Sequence, residues 1–269
     1  MKLTADTQYI ISTSGRPTSI RRYERLLQEI LKLNIAYLPI SAKDGSGRIL
    51  PDDFANAIRG LGAIGGAISK DIKGKIIDQL DDLDELAARV QSVNTVIRKG
   101  DRLVGYNTDA YGFEMAIKAG IEGQPIKTAL VYGYGGVFNV VYHVLKGLGL
   151  QVFVTGRRSE AVAKVNEQYG LKPHDGTPRQ LFINASPVTD KPLAEAPGFL
   201  EAIAGSKVVF DHEMPGQYLV DYCEVHGIKH LPGTAMYYPQ MYRQWALFLE
   251  GLVKAEDIPD LIKRASDDQ

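Results

Sequence analysis

Short apolar runs alternate with amphipathic segments along almost the whole chain. Such runs are typical of buried strands, whereas apolar positions three and four apart are typical of helices that bury one face. In 18–33, for example, Leu26, Leu27, Ile30 and Leu31 share a helical face. Strands are predicted at 7–12, 36–40, 63–69, 128–132, 151–155, 181–184, 207–211 and 229–231, with a hairpin at 93–104. Helices are predicted at 18–33, 51–59, 75–90, 108–119, from the turn after 132 to 148, and at 238–252 and 258–265.

This alternation predicts an α/β protein with parallel sheets and right-handed crossovers. The Gly- and Pro-containing stretch 120–127 interrupts it and is the best candidate for a boundary. We therefore expect an N-terminal α/β substrate lobe over 1–107, completed by C-terminal helices at 237–269, and a second lobe of the Rossmann type over 108–236. An active cleft is expected between the two lobes.

Composition narrows the functional classes. The chain has 269 residues and a net charge of −1, which does not favour binding to nucleic acid or to an anionic membrane. Its single cysteine, Cys223, excludes an internal disulfide and indicates a reducing compartment. No apolar leader follows Met1 and no apolar run is long enough to span a bilayer, so a cytoplasmic protein is expected. The five histidines have no metal-ligand spacing, and no metal is expected.

The strongest local motif is Gly-Tyr-Gly-Gly at 133–136, between a predicted strand and a predicted helix. Gly133 permits a tight turn, Gly135 allows the backbone to approach a pyrophosphate, and the helix N-terminus offers free N–H groups. Phe138 occupies the usual position of a third glycine, where a large ring would separate helix from strand. The alternative is a glycine-rich turn that binds nothing.

The end of the next strand bears on the choice of cofactor. It leads into Arg157 and Arg158, at the place where an NAD site usually carries an acidic residue for the ribose 2′-hydroxyl. Guanidinium groups suit a 2′-phosphate because they form bidentate, charge-assisted hydrogen bonds. NADP is therefore the predicted cofactor. The alternative is a solvated helix start, although cations there oppose the helix dipole.

Several segments, taken in order, resemble the shikimate dehydrogenase family, and in particular its divergent shikimate dehydrogenase-like branch. The matching segments are Ser-Val-Asn-Thr-Val at 92–96, Gly-Tyr-Asn-Thr-Asp at 105–109 followed by Gly-Phe at 112–113, the glycine turn at 133–136, Gly-Arg-Arg at 156–158, Ile-Asn-Ala-Ser at 183–186, and Gly233, Met236 and Gln240. The family's lysine loop corresponds to 67–73, so Lys73 takes the lysine position and Ser69 the hydroxyl position.

The resemblance implies a role for each matched residue. Lys73 and Asp109 would form the catalytic proton-relay pair. The substrate would be bound by Ser69, Asn94, Gln240, Thr18 and Ser19. The cofactor would be bound by Gly133, Tyr134, Gly135, Gly136, Val137, Arg157, Arg158, Ser186, His212 and Gly233. Taken singly, each catalytic or substrate residue also has a plain interpretation, such as an exposed lysine or a helix-capping aspartate.

The chain departs from the family pattern at the segment that recognises the substrate carboxylate. Thr18 and Ile20 replace its two serines. The earlier run at 12–17, which begins with Ser12, could compensate, or Arg16 or Arg21 could bind a carboxylate instead. The implied function is NADP-dependent interconversion of a secondary alcohol and a ketone on shikimate or on a related cyclic hydroxy carboxylate. For shikimate, the ketone would be 3-dehydroshikimate, and the reaction would belong to the chorismate pathway of aromatic amino acid biosynthesis. The protein is expected to be a monomer or a homodimer. Two alternatives stay open: a nucleotide-binding paralogue without activity on shikimate, and a quinate or shikimate dehydrogenase that uses NAD.

Overall fold

The computed structural model describes residues 3–13, 17–40, 49–69, 72–188, 193–212 and 216–266. Arg16, one of the two arginines considered for carboxylate binding, lies outside these ranges. The strands are β1 Gln8–Ser12, β2 Ile35–Pro39, β3 Gly65–Ala67, β4 Asp82–Leu83, β5 Thr95–Lys99, β6 Arg102–Tyr106, β7 Thr128–Tyr132, β8 Gln151–Thr155, β9 Leu181–Asn184, β10 Val208–Asp211 and β11 Lys229–Leu231. The helices are α1 Pro17–Glu24, α2 Pro51–Leu61, α3 Glu85–Val90, α4 Thr108–Ile121, α5 Phe138–Gly147, α6 Ser159–Tyr169, α7 Phe199–Ile203, α8 Gln217–Val225, α9 Thr234–Phe248 and α10 Ile258–Ser266.

The chain divides into two compact units, which we describe separately. Unit 1 comprises Met1–Asp109 and Gln240–Gln269, and unit 2 comprises Ala110–Pro239. Each unit contains its own sheet with helices, so the predicted α/β class is confirmed. No helix of the described residues is both long and apolar enough to cross a membrane.

Unit 1 has a six-stranded mixed sheet in the order β2-β1-β3-β5-β6-β4. β1 pairs in parallel with β2 and β3, whereas β5 is antiparallel to both β3 and β6. The expected parallel pairing is therefore found for part of this sheet. The hairpin predicted at 93–104 adds an antiparallel pair, because Gly100 adopts a φ of 64° and reverses the chain between β5 and β6.

Two hydrophobic clusters hold the sheet of unit 1. One gathers Trp245 and Phe248 of α9 with Tyr23 and Tyr37, and the other gathers Phe54 of α2 with residues of β1 and β5. Tyr23 packs against Trp245 with ring centroids 4.5 Å apart. This packing anchors α9 to unit 1 and so sets the position of the polar residues on that helix.

The single helix predicted at 75–90 is wrong. This stretch forms a 3-10 turn at Lys75–Gln79, the short strand β4 and the helix α3. Aspartates divide it: the Asp81 carboxylate accepts the Leu103 N–H at 2.7 Å, and the Asp84 side chain caps α3 by accepting the Ala87 N–H at 2.8 Å. Aspartate competes for backbone N–H groups and favours caps over helix interiors, which is why apolar spacing alone misled the prediction.

Two other predicted helices differ in detail. The helix predicted at 18–33 changes after α1 into a π-helical segment, Arg25–Ile30. The helix predicted at 238–252 begins earlier, at Thr234, because the N–H groups of Met236 and Tyr237 donate to the Gly233 carbonyl and form its first turn. The remaining predicted strands and helices agree with the structure to within a few residues.

Unit 2 has a five-stranded parallel sheet in the order β11-β10-β9-β7-β8. The strand order reverses between β7 and β9, since β8 lies on one side of β7 while the later strands extend on the other. In such doubly wound sheets, ligands bind outside the carboxyl ends of the strands at this reversal. The predicted Rossmann-type lobe is confirmed, and the reversal falls where the glycine motif follows β7.

Candidate functional site

Unit 1 contains a small polar pocket of about 180 Å³. Its volume is below the range of about 300–1,000 Å³ that is usual for drug-sized ligands, so it suits a small metabolite. The described lining residues are Ser12, Ser19, Tyr23, Tyr37, Ala67, Ile68, Ser69, Lys73, Asn94, Asp109, Gln240 and Gln244. We call this set the polar pocket.

An ion pair occupies one wall of the polar pocket. Lys73 Nζ donates a hydrogen bond to Asp109 Oδ2, and each side chain is 26% exposed. Lys73 lies two residues before the 3-10 segment Lys75–Gln79, and its carbonyl accepts the Val93 N–H at 2.8 Å. Asp109 is the second residue of α4. The two predicted catalytic residues are thus in contact, half-buried and open to the pocket. An ammonium held by a carboxylate can exchange a proton with a ligand and stabilise a developing alkoxide.

Asn94 is held by two buried threonines. Its Oδ1 accepts hydrogen bonds from Thr95 Oγ1 at 3.0 Å and from the Thr108 N–H at 2.8 Å, and its Nδ2 donates to Thr108 Oγ1 at 2.9 Å. Thr108 Oγ1 also donates a hydrogen bond to Gln240 Oε1 at 3.3 Å. The side chains of Asn94 and Gln240 are therefore fixed by one network at the pocket wall.

The hydroxyl residues predicted for substrate binding divide into two groups. Ser69 lines the polar pocket, where its Oγ accepts the Thr13 Oγ1 proton at 2.9 Å and its N–H donates to Thr13 Oγ1 at 2.7 Å. Ser19 also lines the pocket. Thr18 and Arg21 are exposed and are not among the described lining residues.

Ser12, which begins the run considered for carboxylate binding, lines the polar pocket. Three other polar pocket residues, Tyr23, Tyr37 and Gln244, were not identified from the sequence. The two tyrosines come from α1 and β2, elements that looked like ordinary core. Gln244 could have been found, because it follows Gln240 by four positions on a predicted helix and so shares its face.

Unit 2 contains a second pocket, of about 300 Å³, at the carboxyl ends of β7, β8 and β9. We call it the glycine-turn pocket. Its described lining residues are Tyr132, Gly133, Tyr134, Gly135, Gly156, Arg157, Arg158, Ala185, Ser186 and Pro187. Of the predicted cofactor residues, Gly136, Val137, His212 and Gly233 are not among them. The first two continue the turn into α5, and His212 donates its N–H to Asn184 O at 3.0 Å.

Backbone geometry explains the first glycine of the motif. Gly133 has a φ of 116°, and a Cβ on it would lie 2.6 Å from Ala185 O. A Cβ on Gly135 or Gly136 would meet nothing within 4 Å, so the turn leaves open space above these two residues. Phe138 is buried, and its ring packs edge-on against Tyr169 at 5.2 Å. The ring thus has its own site beside α6.

Cationic groups stand at the rim of the glycine-turn pocket. Arg157 and Arg158 are exposed, and Arg158 Nε donates to Tyr134 Oη at 3.3 Å. No acidic residue is found among its described lining residues. Burial raises the pKa of Tyr132, which stays protonated and donates to Pro197 O at 2.9 Å. This end of the sheet therefore offers positive charge and backbone N–H groups to an anion.

No cluster of metal-ligating side chains is found in the described part of the chain. No family model matches the chain. A curated relative, shikimate dehydrogenase (NADP(+)) from Bacillus cereus, is 36% identical over 116 residues, which make up 41% of this chain and 42% of the relative. The chain thus matches less than half the length of that relative.

Solved structures extend the likeness to nearly the whole chain. A shikimate 5-dehydrogenase-like protein has a TM-score of 0.78 at 22% identity, covering 98% of this chain and 99% of that one. Shikimate 5-dehydrogenase from Thermus thermophilus, in complex with NADP(H) and shikimate, has a TM-score of 0.69 at 24% identity, covering 96% and 99%. Quinate dehydrogenase from Corynebacterium glutamicum, in complex with NAD, has a TM-score of 0.71 at 22% identity, covering 96% and 98%.

At such low identity these structures establish the fold, and the local sequence match adds the family likeness. The predicted resemblance to shikimate dehydrogenases is thereby confirmed.

Proposed function

We propose that the chain is an NADP-dependent oxidoreductase that interconverts a secondary alcohol and a ketone on shikimate or a related cyclic hydroxy carboxylate. The observation that carries this proposal is the ion pair of Lys73 and Asp109 on the wall of a small polar pocket. The neutral residues that line the polar pocket, Ser69, Asn94 and Gln240, supply hydrogen bonds suited to a polyhydroxylated ligand.

The proton is the part of this reaction that the chain's own residues control. When bound, the nicotinamide cofactor supplies or accepts the hydride. In the reducing direction, the Lys73 ammonium donates a proton to the substrate oxygen as the carbonyl becomes an alcohol, and the amine regains a proton from solvent. In the oxidising direction, Lys73 first releases a proton to solvent, and its neutral amine then accepts the O–H proton as the C–H electrons leave as hydride. Asp109 holds the ammonium in place through their ion pair.

The glycine-turn pocket fits a phosphate-bearing dinucleotide. Open space above Gly135 leaves room for a pyrophosphate, and the N-terminus of α5 offers backbone N–H groups next to it. Arg157 and Arg158 would bind a 2′-phosphate, since they are exposed at the rim and no carboxylate lines the described pocket to repel it. We assign the nucleotide to unit 2 and the substrate to unit 1 on these grounds.

A dehydrogenase assay with NADP over a panel of shikimate-like acids tests the proposal directly. Lys73→Ala should lower the rate by about 10²–10⁴-fold, the usual range for removal of a general acid–base group, and should leave NADPH binding unchanged. The matched control is Lys75→Ala, two residues along, whose side chain is exposed and does not line the polar pocket. Retained turnover in Lys73→Ala would contradict the assignment of the proton to this lysine.

Cofactor choice is tested separately. Replacing Arg157 and Arg158 by Ala should raise the KM for NADP by about 10–100-fold, since charge-assisted hydrogen bonds are lost, and should leave the KM for NAD unchanged. Lys172→Ala, which removes an exposed cation outside the pocket, is the control. An equal effect on both cofactors would show that the arginines do not read the 2′-phosphate. A preference of the unmodified protein for NAD would favour the quinate-dehydrogenase alternative.

A second candidate function is nucleotide binding without dehydrogenase activity on shikimate. The polar pocket favours it in one respect: among its described lining residues Lys73 is the only cation, and that cation is paired with Asp109. A substrate carboxylate would then rely on hydroxyl and amide donors alone. NADPH binding with no turnover across the whole panel of acids would select this second function.

A further inference from the structure

Two glutamines of α9 line the polar pocket one helical turn apart. Gln240 and Gln244 share a helix face because residues four apart lie above one another. Gln240 matches a family motif, whereas Gln244 has no role in the function proposed above. The hydrogen bonds behind these two side chains determine which atom each of them presents to the pocket.

The buried network between the glutamines can be resolved by counting protons. A side-chain amide oxygen has two lone pairs, and a hydroxyl has one proton. Asn94 Oδ1 accepts the Thr95 Oγ1 proton and the Thr108 N–H, which uses both lone pairs. Asn94 Nδ2 donates to Thr108 Oγ1. The Thr95 hydroxyl proton is therefore committed to Asn94. Thr108 Oγ1 lies 3.2 Å from Asn94 Oδ1 and 3.3 Å from Gln240 Oε1; since both lone pairs of Asn94 Oδ1 are already used, the Thr108 hydroxyl proton goes to Gln240.

These constraints orient the two glutamines in opposite ways. Thr95 Oγ1 has spent its proton and accepts from Gln244, whose Nε2 lies 2.7 Å away and also 3.5 Å from Asn94 O. Both N–H groups of Gln244 thus point into the network, which leaves its Oε1 for the pocket. Thr108 Oγ1 donates to Gln240 Oε1, so Gln240 keeps its two N–H groups for the pocket. The helix face presents a donor at 240 and an acceptor at 244.

We propose that Gln244 is a specificity residue of the polar pocket and accepts a hydrogen bond from a substrate hydroxyl. The ligand it selects is a cyclic acid with a free O–H on the side that faces α9, because an ether or carbonyl oxygen there would face a lone pair of Gln244. This inference rests on the proposed function for the identity of the acid. A site built to pair with a hydroxyl discriminates strongly against the analogue that lacks it, since a buried polar atom is then left unpaired.

The test measures equilibrium binding and turnover for shikimate and for two deoxy analogues, each lacking one of the hydroxyls that are not oxidised. We expect the unmodified protein to prefer shikimate over one of these analogues. Gln244→Met, which keeps the length of the side chain, should weaken shikimate binding by about 2–10-fold, the worth of one neutral hydrogen bond, and should leave that analogue unchanged. The preference should therefore vanish, with the change in KM rather than kcat.

Two further variants separate specificity from folding. Thr95→Val removes the hydroxyl that orients Gln244 and is expected to weaken the same preference, although Thr95 does not line the pocket. Gln28→Met, the control, removes a half-buried amide that donates to Ile35 O in the same unit at 3.3 Å, and should preserve the preference. If Gln244→Met weakens shikimate and both analogues equally, or changes none of them, the inference is overturned.

The two proposals fail in different ways. Selective binding without any turnover in the unmodified protein would remove the dehydrogenase proposal and keep the role of Gln244. Turnover by the unmodified protein, together with unaltered selectivity in Gln244→Met, would keep the dehydrogenase proposal and remove the role of Gln244. Failure of the unmodified protein to bind any acid of the series would overturn the inference as well.

Discussion

The glycine turn of unit 2 permits a quantitative test on Gly133. Its φ of 116° is a conformation that residues with a Cβ rarely adopt, at a cost on the order of 1–3 kcal/mol. In Gly133→Ala the new Cβ would also lie 2.6 Å from Ala185 O, where contact requires about 3.5 Å. The opposing atoms are backbone, so the segment after β9 has to move by nearly 1 Å, which is the difference between these distances.

That movement threatens the Ala185 N–H bond to Tyr132 O, which is 2.9 Å long and whose loss costs about 0.5–1.5 kcal/mol. Adding this loss to the φ strain gives a destabilisation of about 1.5–4.5 kcal/mol for Gly133→Ala. Urea unfolding followed by circular dichroism measures it. NADPH binding, followed by cofactor fluorescence, should be lost in the same variant because the turn and the segment after β9 both line the glycine-turn pocket.

Two matched glycines separate the contributions. Gly123 has a φ of 71° and open space around its Cβ position, so Gly123→Ala measures backbone strain alone, about 1–2 kcal/mol. Gly135 has neither constraint, so Gly135→Ala should change stability by less than about 0.5 kcal/mol while weakening NADPH binding where the pyrophosphate approaches. Equal destabilisation by Gly133→Ala and Gly123→Ala would refute the argument from the close contact. Unchanged NADPH binding in Gly135→Ala would refute the placement of the phosphates.

Three further predictions concern stability and reactivity. Asp84→Ala should destabilise unit 1 by about 0.5–2 kcal/mol, because the α3 cap is lost, whereas Asp84→Asn should retain most of the stability. Urea unfolding measures both variants, and an equal loss of stability in the two would contradict the capping role. Burial raises the pKa of Cys223 to about 12, so its thiol should resist iodoacetamide at pH 8 in the folded protein and react after unfolding. Mass spectrometry measures the labelling, and rapid labelling of the folded protein would contradict this expectation. Burial lowers the pKa of His230 below the ordinary 6.5, so the neutral ring stabilises the fold above about pH 6.5 and that contribution is lost as the pH falls through the lowered value. His230→Gln should flatten this acid-side decline of the urea midpoint, and an unchanged slope would count against it.

The pattern along the chain was sufficient to predict most strands and helices and the two sheet systems. It succeeded in unit 2 because a doubly wound parallel sheet buries whole strands, so each strand is a continuous apolar run followed by an amphipathic helix. It failed at 75–90, where Asp81 and Asp84 bind backbone N–H groups, one of them 22 positions away at Leu103. Spacing of apolar residues carries no information about such side-chain competition.

The chemistry of the candidate sites was in part a property of the sequence alone. The glycine turn and the arginines after the next strand lie within local segments, so their type and order already indicate an anion site at a sheet edge. The resemblance also named Lys73 and Asp109. The tertiary structure decided that these two side chains, 36 positions apart, form an ion pair, and that Gln244 donates to Thr95 from 149 positions away. Hydrogen bonds depend on distance and direction between atoms, and those are set only when the sheet and α9 pack around a common core.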